Sequence, residues 1–462
     1  MRLIFVHGWS VTHPDTYGEM PEALEAGAVV YGLDLHIAHI SLGRYVSFHD
    51  EVTLDDIARS LERALRELPG NEAGIQPFSC ITHSTGGPVV RHWIDRYYGA
   101  ANLAALPLQH LVMLAPANAG SALAVLGKER VGRMKAFFAG VEPGRRVLDW
   151  LSLGSEGQWS LNENWLDYLP AENGFFPFVF TGQGIDTRFY DFLNNYLVEP
   201  GSDGVVRVAG ADLNCCYLRL EQGNQVIRKQ PLTLALQPTA EPFRCTKHVP
   251  LGVYRDYSHS GPRMGIMRSM KAESNELQPL VGDVLRCLAV SDAEGYAARA
   301  EELQALTEEQ QQGKDRFAML IFNVHDDQGR SFGPSEYDLL LLAGRNYRPQ
   351  DLPNGFLQDR QINAKTGNLV FYLNAERMDA IKDGLFGIRV IARPSGGFAG
   401  YAAAEFRSNG ISIHRVLTAN RTTYVDICLR RRVDKNVFRF DPASAPRRSF
   451  KAIKSSGEAI DD

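Results

Sequence analysis

Cysteine is scarce: six among 462 residues, at Cys80, Cys215, Cys216, Cys245, Cys287 and Cys428. None has metal-ligand spacing, and the adjacent pair Cys215-Cys216 cannot act as a C-x-x-C motif, so no zinc site is expected. Free buried thiols in a reducing compartment are the simplest reading. Positive charge is not in excess either. The net charge is -5, with no basic stripe carrying interleaved aromatics, which argues against nucleic acid as a partner. No apolar run is long enough to span a bilayer. The opening run Leu3-Ile4-Phe5-Val6 is too short for a signal h-region, so synthesis in the cytoplasm is expected, with leaderless export as an alternative route. Low-complexity tracts are absent. What remains is a globular composition, 44% hydrophobic and 22% charged, in a chain too long for one ordinary core.

The stretch Ile81-Thr82-His83-Ser84-Thr85-Gly86-Gly87 stands out. It follows an apolar run, Phe78 to Ile81, that predicts the end of a buried strand. It precedes Pro88 to Ile94, which predicts a helix. A serine on a sharp strand-to-helix turn is how a nucleophile elbow is built. Such a turn needs small residues because its backbone packs closely on its neighbours. The usual first glycine of G-x-S-x-G is Thr82 here. An ordinary Ser/Gly turn before a helix is the bland alternative, and the surrounding order of segments argues against it.

Leu3 to Val6 predicts a buried strand ending at His7-Gly8-Trp9. Val29 to Leu35 predicts a second strand. Asp55 to Leu68 predicts an amphipathic helix, with Ile57, Leu61, Leu65 and Leu68 at helical spacing. Leu108 to Ala115 is another apolar strand and runs into Pro116-Ala117-Asn118-Ala119-Gly120-Ser121. Phe175 to Thr181 is the next. Strands alternating with helices imply a parallel sheet covered on both faces. The ordered set His7-Gly8, then His83-Ser84-Thr85-Gly86-Gly87, then Pro116 to Ser121 resembles the bacterial lipase and phospholipase branch of the α/β-hydrolases. The related GPI-inositol-deacylase-like and lecithin-acyltransferase-like lipases share it. The resemblance covers roughly residues 1 to 270.

That resemblance implies a triad in the order serine, acid, histidine. Ser84 is the nucleophile. The acid is Asp203, in Ser202-Asp203-Gly204-Val205-Val206, with Asp186 as the alternative. The base is His259, in Ser258-His259-Ser260-Gly261, with His248 as the alternative. The backbone N–H groups of Trp9 and Thr85 are expected to form the oxyanion hole. His7, Gly8 and His83 are expected to line the pocket. No metal and no cofactor is needed for this chemistry. The expected activity is hydrolysis of lipid carboxylic esters through an acyl-enzyme, of lipase or phospholipase A type. A thioesterase or acyltransferase using the same triad is an alternative, as is a non-catalytic binding protein on this fold. The expected partner is a lipid ester, with peripheral membrane contact. An immunity or regulatory protein would fit an exported effector.

Residues 122 to 170 predict a helical insertion. Val131, Met134, Phe137, Phe138 and Val141 sit at helical spacing there, and the resemblance makes the segment a lid over the site. The hydrolase domain is expected to span 1–290, followed by a helical linker at 291–315. From Arg316 the pattern changes to short β-like runs: Phe317 to Val324, Glu336 to Leu342, Asn368 to Leu373, Gly387 to Ala392 and Tyr424 to Leu429. Strands without intervening helices predict a β-sandwich accessory domain over 316–440, with a basic tail at 441–462. Asp326, Asp327 and Asp338 read as hairpin-turn carboxylates in preference to calcium ligands, which need six or more oxygens.

Overall fold

The computed structural model describes residues 1–7, 17–47, 49–124, 144–186, 199–273, 277–394, 399–409 and 413–433. Its first layer runs β1 (Arg2–His7), α1 (Met20–Ala28), β2 (His36–Ser41), α2 (Leu54–Arg66), β3 (Phe78–His83), α3 (Gly86–Tyr97) and β4 (Leu108–Leu114). It continues through α4 (Arg145–Leu151), α5 (Glu156–Asn164) and β5 (Phe176–Gly182), then α6 (Val208–Ala211). A hairpin follows, β6 (Cys215–Arg228) and β7 (Thr233–Cys245), before β8 (Leu251–Tyr254), α7 (Pro279–Leu288) and α8 (Ala293–Gln310). The second part comprises β9 (Phe317–Asp326), β10 (Tyr337–Ala343), β11 (Leu357–Ile362), β12 (Leu369–Asn374) and β13 (Phe386–Ala392). It ends with β14 (Ala399–Gly400), β15 (Ala403–Arg407), α9 (Ile413–Val416), β16 (Thr422–Leu429) and β17 (Arg432–Val433).

The first sheet has the order β2-β1-β3-β4-β5-β8, and all its pairings are parallel. Its central strands β1, β3, β4 and β5 are buried on both faces, which explains their apolar runs. Within β1, Ile4 and Val6 enter one core with Ile57, Leu61, Val89 and Trp93 of α2 and α3. Leu3 and Phe5 enter the other, with Leu24, Val284, Leu285 and Leu303 of α1, α7 and α8. This is the α/β-hydrolase arrangement.

The expected second strand is displaced. Val29–Tyr31 is a short 3₁₀ turn, with Val29 and Val30 about four-fifths exposed, and the strand lies at His36–Ser41. An edge strand is screened on one side only, so its sequence carries histidines and reads as polar. The segment expected as a solvated linker is also different. Helix α8 lays Tyr296, Arg299, Ala300, Leu303 and Thr307 against the first sheet. The Tyr296 hydroxyl donates to Pro177 O at 2.8 Å and the Thr307 hydroxyl to Leu251 O at 2.8 Å. Its buried stripe is partly polar and hydrogen-bonded, which is why the helix reads as solvated.

The second sheet is nine-stranded and mixed, of sandwich type, in the order β10-β13-β15-β7-β6-β16-β9-β12-β11. Two of its central strands, β6 and β7, come from the stretch that sequence reading assigns wholly to the hydrolase domain. They pair with late strands on both sides: β7 with β15 and β6 with β16. Cys216 and Cys245 face each other across this hairpin and form a disulfide, with Cα atoms 4.1 Å apart. The free-thiol reading therefore holds for Cys80, Cys215, Cys287 and Cys428 but not for this pair. Strand register, not spacing in the chain, brings the two together. The sheets meet through Ala119, Leu153, Ala209, Tyr217, Met319, Tyr372 and Tyr424.

The N-terminal half of the insertion, including Val131, Met134, Phe137, Phe138 and Val141, lies outside the described residues. Its other half packs as core. Trp165 is buried and stacks on Tyr168 at 4.5 Å, and Trp159 meets Tyr424 edge-on at 5.0 Å. Among the described residues, no helix is long and apolar enough to cross a membrane.

Candidate active site

Ser84 follows β3 directly and has φ of +53°, in the left-handed region. A non-glycine residue held there is strained, and the surrounding packing must hold it in place. The two glycines after it make that packing achievable. A Cβ on Gly87 would lie 2.8 Å from Pro116 Cβ, and one on Gly86 would lie 3.2 Å from Thr82 Cβ. Thr82 thus occupies the position that is usually glycine, and Gly86 supplies the missing room from the other side. The Ser84 N–H donates to Leu114 O at 3.0 Å, tying the elbow to β4. The Thr85 N–H stands at the start of α3, where the first helical donors have no intrahelical acceptor.

His259 lies beyond β8, and Asp203 lies beyond β5. Both therefore reach the carboxyl edge of the parallel sheet, where open α/β sheets place their ligands. His259 Nδ1 donates to Asp203 Oδ2 at 2.9 Å, and the Ser84 hydroxyl donates to His259 Nε2 at 3.0 Å. Asp203 is fully buried and His259 is 1% exposed, while Ser84 is partly accessible. The other carboxylate oxygen of Asp203 accepts from the N–H groups of Val205 and Val206 at 2.9 and 2.8 Å. The Asp203 carboxylate thus accepts three hydrogen bonds, and the one from His259 sets the imidazole tautomer. The His259 N–H also donates to Asp203 O at 2.9 Å, so the two loops are joined through backbone as well as side chains.

His83 was expected to line the pocket. It is buried, its ring stands 4.7 Å from that of His259, and its Nε2–H donates to His259 O at 3.0 Å. Burial, with His259 alongside, pushes its pKa well below the usual imidazole value. It is thus a neutral donor that pins the His259 backbone. Asp186 is buried, with Arg263 3.5 Å from it, and His248 is exposed. His7 ends β1, while Gly8 and Trp9 lie outside the described residues.

The Pro116 to Ser121 stretch acts as scaffold. The Ser121 hydroxyl donates to Val205 O at 2.6 Å, bracing the loop that carries Asp203. The Asn118 amide donates to Ala211 O at 2.7 Å and accepts from Arg91 of α3 at 3.1 Å. Arg91 itself is fully buried, a residue that sequence reading passed over because its partners lie on the insertion and beyond. The carboxylates Asp326 and Asp338 are engaged by protein groups: Asp326 accepts from Gln328, Arg330 and Tyr401, and Asp338 pairs with Arg393. Among the described residues, no cluster of three or more potential ligands could hold a metal ion.

A buried Asp–His–Ser relay at the carboxyl edge of a parallel sheet, with the serine on a strained strand-to-helix turn, defines an α/β-hydrolase of the lipase and esterase branch. The solved structure of phospholipase PlaB from Legionella pneumophila is 43% identical, covers 96% of this chain and 97% of its own, and superposes with a TM-score of 0.86. The same phospholipase in complex with thio-NAD is 40% identical over the full length of both chains, with a TM-score of 0.85. The chain belongs to this phospholipase family and is a carboxylic ester hydrolase. Neither a family model nor a curated protein matches the sequence.

Proposed function

We propose that the chain hydrolyses carboxylic esters of phospholipids, with Ser84 as nucleophile, His259 as general base and Asp203 as the acid that orients it. The observation that carries this reading is the continuous 2.9 and 3.0 Å relay from Asp203 through His259 to Ser84. His259 takes the serine proton as Ser84 attacks the ester carbonyl. The tetrahedral oxyanion is received by the Thr85 N–H and by a second donor from the loop after β1, for which Trp9 is our candidate. Collapse expels the lyso-lipid alcohol, which leaves with the proton from His259. Water then enters, His259 deprotonates it, and the fatty acid is released. Peripheral contact with a lipid surface is part of this reading, because the scissile ester lies at that surface. The Legionella relative's complex with thio-NAD also makes a nicotinamide dinucleotide a ligand worth assaying on this chain.

The test is fatty-acid release from phosphatidylcholine and phosphatidylglycerol vesicles, alongside covalent labelling by a fluorophosphonate. Wild type should release fatty acid and take the label, and Ser84→Ala should do neither while melting at a similar temperature. Equal release by both proteins, or a wild type that resists the label, would refute the assignment.

A further inference from the structure

The loop that presents Asp203 belongs to the first layer, yet it is anchored on the second sheet. Its base closes where Ser202 and Arg207 form an antiparallel bridge, with the Val208 N–H donating to Gly201 O at 2.9 Å. Gly201 has φ of +74°, and a Cβ there would lie 2.4 Å from the Phe317 ring and 2.5 Å from the Tyr372 hydroxyl. The loop base is thus seated directly on the stacked pair Phe317 and Tyr372, from β9 and β12, whose ring centroids are 4.8 Å apart. The Tyr372 hydroxyl lies 2.9 Å from Pro200 O and 3.1 Å from Gly201 O, donating into the two carbonyls at the base. Tyr372 is completely buried, and burial pushes its pKa well above the usual phenol value, so it remains a donor.

Arg207 completes the anchor. Its guanidinium is 2% exposed and sits 4.2 Å over the Tyr372 ring. It binds both carboxylate oxygens of Glu199 at 2.9 and 2.7 Å, and it reaches Asp359 on β11 at 2.5 Å. Glu199 and Arg207 flank the Asp203 loop on its two sides. A planar guanidinium paired in this way fixes distance and angle together. Bringing the pair out of water is costly, and the arrangement is better suited to fixing geometry than to adding stability.

We infer that Tyr372, Arg207 and Asp359 are positioning residues for Asp203, so that the second sheet sets where the triad acid meets His259. This rests on Asp203 being the triad acid. The second sheet is then part of the catalytic apparatus, acting through a loop it does not itself contain. Tyr372→Phe removes only the hydroxyl and keeps both stacking contacts. Asp359→Asn removes one charge from a partly exposed edge strand.

Steady-state hydrolysis of p-nitrophenyl butyrate tests the inference in full-length protein. Each single variant should lower kcat roughly 10- to 100-fold, as small misplacements of catalytic groups do, with KM unchanged. On an Asp203→Asn background the same substitutions should have no further effect, because residues acting as one unit are not additive. Unchanged kcat in the single variants would overturn the inference, and so would losses that multiply on the Asp203→Asn background. Should Tyr372→Phe fail to fold, Asp359→Asn decides the matter alone. If Asp203→Asn retains near-wild-type kcat, it is the triad assignment that fails.

Discussion

Asp212 is a buried carboxyl whose ionisation bears on stability. It is 7% exposed at the end of α6, and burial raises its pKa from 3.8 to about 7, against the opposing effects of Asn214 and Arg421. One oxygen accepts from the Asn214 N–H at 3.0 Å and from its side-chain amide at 2.7 Å, and Asn214 in turn holds Val249 ahead of β8. A carboxyl with a raised folded pKa binds its proton more tightly in the native state. Its contribution is fully present below pH 3.8 and is lost as pH rises through about 7. The loss is at most about 4 kcal/mol, at 1.36 kcal/mol per pKa unit. Asp212→Asn should remove this dependence. Thermal melts of both proteins at pH 5 and pH 8 should move in the variant's favour at the higher pH. Parallel melting temperatures would mean that Asp212 is ionised in the fold at both.

At the scale of elements, the elbow and its helix form a tight joint. Gly87→Ala places a Cβ 2.8 Å from Pro116 and 3.3 Å from Met113 Sδ. Overpacking of this kind costs about 1–3 kcal/mol, so the variant should melt several degrees lower and lose ester hydrolysis in proportion to the displacement of Ser84. A variant that melts and hydrolyses as wild type does would show that α3 can shift freely. The elbow was legible in the sequence because strand, turn and helix are contiguous there. Asp203 and His259 were singled out by the segment order that the resemblance implies, and the structure brings their side chains into hydrogen-bonding contact. The anchor beneath Asp203 was not, since Arg207 and Asp359 meet only through tertiary folding and each alone reads as a surface charge. The β6–β7 hairpin was missed for a related reason. The turn-proximal end of β6 is exposed and polar, and the strands that pair with the hairpin's two edges lie beyond residue 400. Strand β2 was misplaced because an edge strand lacks the apolar run that marks its neighbours.

At the scale of the whole molecule, the second sheet cannot be detached. A protein ending at residue 315 would retain the first layer with β6 and β7 but lose β15 and β16, leaving both outer edges of the hairpin unpaired. It would also uncover Gly201 and Tyr217, which the second sheet buries. Bare edges of this kind pair with other chains. Expression of residues 1–315 should therefore yield aggregated, inactive protein, measured by size-exclusion chromatography and ester hydrolysis. A soluble, active monomer would mean that the first layer is self-sufficient.

The same interleaving governs the order of events during synthesis. Thr422 pairs with Cys215, so β6 leaves the ribosome long before its neighbour exists, and at about 5–20 residues per second the interval is on the order of ten to forty seconds. For most of that time the proposed triad Ser84, Asp203 and His259 has been made, but β9, β11 and β12, on which the Asp203 loop is seated, are incomplete. If the second sheet positions Asp203 as inferred above, the newborn chain becomes a competent esterase only after its C-terminal strands arrive. Ester hydrolysis is in this way withheld until translation is nearly complete.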